Sequence, residues 1–113
     1  MVNQGDIIWL QFDPQSGTEQ SGHRPALVVS NSNYQQITRK RALVCPITKT
    51  DKDYPLHIKL DERTKTNGVV LSDQIKVVDI EARGYRFIEK APDDIVWEVA
   101  DIITNFIEII PLR

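Results

Sequence analysis

Residues 56–80 read LHIKLDERTKTNGVVLSDQIKVVDI, and this stretch decides the fold. In LHIKL, Leu56, Ile58 and Leu60 alternate with His57 and Lys59, the period of a strand with one buried and one wet face. GVVLS (68–72) and QIKVVDI (74–80) are dense in β-branched residues and follow after polar breaks. Short strands of this kind in close succession predict antiparallel sheet rather than βαβ units. Working outward, ALVCPIT (42–48), ALVVS (26–30) and DIIWLQF (6–12) extend the same pattern. SNSNYQQ, before Ile37, reads equally as loop or as a short helix over 33–37.

The period changes near the C-terminus. Ile95, Val99, Ile102, Ile103, Phe106 and Ile110 recur at spacings of three and four, which predicts an amphipathic helix over 93–110. Pro92 suits its first position, Asp93 and Asp94 suit the positive end of the helix dipole, and Pro111 is the expected stop. Two connections exceed ordinary loop length, 13–24 (DPQSGTEQSGHR) and 49–55 (KTDKDYP), and long loops in small domains often carry function. The expected fold class is mainly β with helices: a half-open antiparallel β barrel with loops on one side and a C-terminal amphipathic helix closing an end.

At 113 residues the chain suits one domain, 1–113, with a single core. Cys45 is the sole cysteine, which excludes an intrachain disulfide and a thiolate cluster; its apolar setting, LVCPI, predicts inert packing. The opening MVNQGDIIWLQF lacks a basic region ahead of an apolar run, and no segment approaches a membrane span, so a cytoplasmic location is expected. The net charge of −2 is unevenly spread: residues 93–112 hold five acids and no Lys or Arg, while residues 1–92 hold 13 bases against 11 acids. A mildly basic body beside an acidic helix is compatible with a polyanionic partner.

Residues 5–31, GDIIWLQFDPQSGTEQSGHRPALVVSN, carry a G-D-I-x-W strand, an F-D-P turn and a G-T-E-Q-x-G-H-R-P loop ahead of an apolar strand. CPIT (45–48), GVVLSDQIK (68–76) and EARG (81–84) follow in order. This series strongly resembles the MazF/PemK/Kid family of toxin ribonucleases from about Gly5 to Gly84. The resemblance implies a PemK-like, SH3-related barrel, a homodimer, a cognate antitoxin and cleavage of single-stranded mRNA at short words. The implied chemistry is attack by the 2′-hydroxyl, leaving a 2′,3′-cyclic phosphate and a 5′-hydroxyl. The catalytic pair of MazF-like members matches Arg24 and Thr48, and Glu19 matches an acidic loop residue implicated in function. PemK/Kid-type members place an arginine where Leu71 stands and a loop histidine where Thr18 stands, so the chain sides with the MazF branch.

The chemistry suits these residue types. In-line attack builds negative charge on the phosphoryl oxygens, which calls for fixed positive charge and aimed donors. Arg24 offers a rigid five-donor fork and Thr48 a neutral hydroxyl. Arg24 is therefore assigned charge stabilisation, with proton donation to the leaving 5′-oxygen left open, and Thr48 the role of oxyanion donor. Thr50, two positions on, is its natural substitute, and a Thr at a strand end can equally just cap a turn. Glu19 reads either as a solvated loop charge or as a group positioning Arg24 or the RNA.

The expected RNA-binding set is His23, Gln20, Lys49, Tyr54, Asp73, Gln74 and Lys76, with Tyr54 as a stacking surface. Asp73 could instead pin a turn, and Lys76, Arg83 and the Arg39–Lys40–Arg41 run could be solvated surface. Trp9 and Trp97 are assigned to the core, and His57 to the solvent face of its strand, which argues against a paired His23–His57 mechanism. One Cys, two separated His and scattered carboxylates offer no metal-ligand spacing, so neither metal nor cofactor is expected. The rival readings are a CcdB-like gyrase poison without nuclease activity, whose Trp-Gly-Ile ending is absent from the final Ile-Pro-Leu-Arg, and a noncatalytic RNA-binding module.

Overall fold

A computed structural model describes residues 1–12 and 22–111. The strands are β1 (Asp6–Gln11), β2 (His23–Val28), β3 (Arg41–Thr48), β4 (His57–Lys59), β5 (Val69–Leu71), β6 (Lys76–Asp79) and β7 (Tyr85–Lys90). The helices are α1 (Ser32–Thr38), the single turn α2 (Ile80–Arg83) and α3 (Asp93–Phe106), and a 3-10 turn covers Ser72–Gln74. All strand pairs are antiparallel and run in the order β4-β5-β3-β2-β1-β7, with β6 also against β3. The expected half-open, mainly β architecture with a C-terminal helix is the one found.

The eight-residue β3 is the spine. One edge pairs with β2 from Ala26↔Pro46 to Val28↔Val44. The other edge is divided: β6 takes Arg41 to Val44, and β5 takes Ile47 and Thr48. The chain leaves β5 and enters β6 through the 3-10 turn, so Asp73 and Gln74 stand at the fork.

Side-chain alternation gives the sheet two buried faces. Ile8, Leu10, Ala26, Val28, Ala42, Val44, Val78 and Ile80 fill one, which we call the inner face. Ile7, Leu27, Cys45, Ile47, Ile58 and Val70 fill the outer face, where Ile95 and Val99 of α3 cover them. Burying one such side chain stabilises by about 1.5–3 kcal/mol, which makes the helix an integral layer.

Several boundaries differ from the sequence expectation. β2 begins at His23, so Arg24 lies within a strand and not at its approach. Strand β7 was not anticipated: YRFIEK is exposed or half-buried throughout, as an edge strand allows, and shows no clean alternation. The sequence 32–38 does form a helix, because the Asn31 side chain accepts the Tyr34 N–H at its start. Helix α3 ends four residues earlier than expected, with the Ile107 N–H closing on Thr104, and Ile110 is exposed and not on a packed stripe. Trp9 and Trp97, assigned to the core, are 36% and 76% exposed. The outer-face core reaches only Ile7 on β1, and Trp97 points off the helix face that carries Ile95 and Val99.

Three local devices fix the loops. The Glu89 carboxylate accepts the Lys65 N–H (3.0 Å), the Thr66 N–H (2.8 Å) and the Thr66 hydroxyl (2.8 Å), pinning the loop before β5. Arg63 donates to both oxygens of Asp94 (2.7 and 2.9 Å) and to Asp61, tying that loop to the start of α3. Gly68, at φ +123°, passes so close to Thr48 that a Cβ there would overlap the Thr48 carbonyl oxygen.

Candidate active site

Continuing the β2–β3 register past Ala26↔Pro46 brings Arg24 opposite Thr48. The pairing itself ends at Ala26↔Pro46, and alternation turns both side chains to the inner face. Both are half-buried at the open end of the inner-face core. They line one cleft of about 460 Å³ together with Thr50, Lys52, His57, Leu71 and Gln74. Two cations and a set of neutral donors thus converge on one concavity.

Thr48 and Thr50 both line the cleft and differ in their hydrogen bonding. Thr48 Oγ1 accepts the Thr50 backbone N–H at 3.3 Å, which occupies a lone pair and leaves the hydroxyl hydrogen free to donate into the cleft. The loop beyond is held by Lys59, whose ammonium lies 3.5 Å from Asp51 and 3.6 Å from Asp53, while Asp51 accepts the Asp53 N–H at 2.7 Å. That N–H bond, offset in part by burial and aided by Lys59, holds the Asp51 carboxyl below the usual carboxylate range.

His57 does not face solvent. Its side chain is 11% exposed, its Nε2 lies 3.9 Å from Asp73 Oδ1, and its ring packs edge-on against Tyr54 at a centroid distance of 5.1 Å. Alternation placed it opposite to Ile58, but β4 is only three residues long and the 3-10 turn folds over that side. Asp73 is exposed on this turn, Gln74 lines the cleft, and Tyr54 is 48% exposed beside it.

His23 and Lys49 belong to a different surface. His23 alternates with Arg24 along β2 and so points to the outer face, where its ring stacks on Trp9 at 6.1 Å and 11°. Trp9 and Arg86 border two adjoining hollows there, one with His23, Arg83 and Tyr85, the other with Lys49 and Lys65. Lys76 lies on β6 opposite Val44 and does not line the cleft. Glu19 and Gln20 lie outside the described residues. The cleft residues that sequence reasoning did not assign are Lys52, His57 and Leu71; a polar loop and an alternating strand carry no mark of which side the 3-10 turn covers.

Cys45, on the opposite side of β3 from Thr48, is fully buried, and burial, with a smaller contribution from Asp73, pushes its thiol up to about 12. It is an inert packing group. Among the described residues no three His, Cys, Asp or Glu side chains cluster as metal ligands.

The chain belongs to the PemK-like, MazF-like toxin family of type II toxin–antitoxin systems, whose model matches residues 3–107. It is 44% identical over 80 residues to the endoribonuclease toxin MazF of Escherichia coli K12, covering 71% of this chain and 70% of that one. It is 39% identical over 102 residues to the endoribonuclease toxin ChpB of the same strain, covering 83% and 84%. Among solved structures it superposes on MazF from Deinococcus radiodurans with a TM-score of 0.86 at 35% identity, covering 93% of this chain and 94% of that one. The MazE–MazF complex of that organism matches with a TM-score of 0.80, also at 35% identity and the same coverage.

Proposed function

We propose that the chain is a sequence-specific endoribonuclease toxin that cuts single-stranded RNA by 2′-hydroxyl attack. The observation that carries this is the convergence of Arg24 and Thr48 across β2 and β3 in a chain 44% identical to an endoribonuclease MazF. The O2′–P bond forms as the P–O5′ bond breaks, and the proton lost by the 2′-hydroxyl balances the one gained by the leaving 5′-oxygen, giving a 2′,3′-cyclic phosphate and a 5′-hydroxyl. Arg24 stabilises the charge that accumulates on the non-bridging oxygens, and the Thr48 hydroxyl donates to one of them. Arg24 also stands ready to deliver the proton that the leaving 5′-oxygen takes up. Glu19, five positions before Arg24 in the sequence, positions Arg24 or the RNA.

Gln74 and Tyr54 contact RNA at the cleft, and His23, Lys49, Gln20 and Lys76 serve the strand beyond it. The whole of 1–113 acts as one domain, in the cytoplasm, as a homodimer. Trp97, Phe106, Ile107 and Ile110 are exposed on and beyond α3, apolar surface that favours such pairing. The complex of MazE with a MazF of the same fold supports control by a cognate antitoxin, whose acidic groups would complement Arg24 and Lys52.

The test uses purified protein with mixed-sequence RNA in chelator. Cleavage with 5′-hydroxyl ends is expected, and a 2′-deoxy substitution on the 5′ side of the cut should abolish it while binding persists. Undiminished cutting of the deoxy-substituted RNA would overturn the mechanism, and binding without any cutting would return the noncatalytic reading.

A further inference from the structure

We propose that His57 and Asp73 together read the hydrogen-bonding edge of one nucleobase beside the cut, which makes His57 a specificity-determining residue; this rests on the endoribonuclease reading above. Among the described residues, the buried side-chain polar atoms without a hydrogen-bond partner are His57 Nδ1 and Ser72 Oγ. Both belong to the wall where β4 meets the 3-10 turn. Native proteins rarely leave such atoms unsatisfied, and here the enclosed Nδ1 fixes which ring nitrogen is left to face a ligand.

The ring's surroundings select its tautomer. Nδ1 is enclosed with no acceptor within reach, so a hydrogen there would be a stranded donor, whereas Nε2 faces the Asp73 carboxylate. In the neutral ring the hydrogen therefore belongs on Nε2. At 3.9 Å the Nε2 to Oδ1 separation exceeds the roughly 2.7–3.2 Å of a closed hydrogen bond, so donor and acceptor lie side by side, each able to bind a third group.

A phosphate does not fit this pair, because the Asp73 carboxylate would repel it. The Watson–Crick edge of a nucleobase does, since every base carries a donor and an acceptor on neighbouring atoms, and single-stranded RNA presents that edge unpaired. Half-exposed Tyr54 stands against the His57 ring and supplies an aromatic face on which the base can lie. His57 shares its cleft with Arg24 and Thr48, so the base read belongs to a nucleotide adjoining the scissile phosphate.

The test maps 5′-hydroxyl ends from one long mixed-sequence RNA cut by wild type, His57→Ala, His57→Gln, Asp73→Asn and Arg24→Ala, with melting temperatures measured in parallel. His57→Ala and Asp73→Asn should relax or switch the preference at the same single position of the cleaved word. Discrimination there should fall on the order of 10- to 100-fold, the range for one bidentate base contact. His57→Gln keeps a donor and should retain more of it, while Arg24→Ala should slow every word alike. An unchanged word in both variants, or a uniform slowing in folded His57→Ala and Asp73→Asn, would overturn the proposal. A wild type that cuts no RNA would instead overturn the endoribonuclease reading itself.

Discussion

Thr48 accepts the Thr50 amide and both threonines line the cleft, so their alanine variants are what separates two alternatives that the sequence leaves open. Removing a preorganised donor or charge from such a site costs on the order of 100- to 1,000-fold in rate, which is the loss expected for Arg24→Ala in single-turnover cleavage. Thr48→Ala should lose rate as well, to a smaller degree. Thr50→Ala keeps the backbone N–H that Thr48 uses and should stay close to wild type; a Thr50→Ala loss matching that of Thr48→Ala would reverse the assignment. Cys45 should resist thiol reagents in the native state and label only on unfolding, because burial holds the thiol up to about 12. Arg24 and Thr48 were legible because the G-H-R-P and C-P-I-T runs that hold them are distinctive. His57 was not, since alternation over three residues assigns a side but not what later folds over it.

Among the elements, the turn into β5 matters most to the site. Gly68→Ala would place a Cβ on the Thr48 carbonyl in a left-handed backbone, a cost on the order of 1–3 kcal/mol. The displaced atom belongs to Thr48, so cleavage should fall further than RNA binding does, checked by comparing rate and affinity in the folded variant. The Glu89 latch makes a pH prediction. Burial raises the carboxyl, but the bonds from the Lys65 N–H and the Thr66 hydroxyl and N–H outweigh it, so the folded-state pKa is lowered. Its contribution is present above the unfolded value of about 4.3 and is lost as pH falls through the lower folded value. Denaturation of Glu89→Ala should show about 1–3 kcal/mol lost at neutral pH, narrowing in acid. Strand β7, which carries Glu89, escaped sequence reading because an edge strand needs no buried face.

For the whole molecule, sedimentation at micromolar concentration should give twice the monomer mass of 12.9 kDa, and a monomer at that concentration would remove the dimer from the model. The antiparallel strands and the C-terminal helix were readable from period alone, since 56–60 alternates by two and 93–106 repeats by three and four, but the helix covers the outer face of the sheet and does not close an end. The division of β3 between two partners was not. The polar break between GVVLS and QIKVVDI marks a turn, but nothing in it says that the strands on either side pair with different stretches of β3.

The alternation of His23 and Arg24 along β2 makes activity sensitive to reading frame at the level of the backbone. Deleting or inserting one residue between Gly22 and Ala26 would exchange the two sides of the strand, turning the guanidinium toward Trp9 and the imidazole toward Thr48. Deletions of this kind leave composition and motif nearly intact yet separate the reacting groups by the thickness of the sheet. Length variation among natural or engineered relatives should therefore be absent from the four residues that carry the chain into its first buried pair, His23 to Ala26.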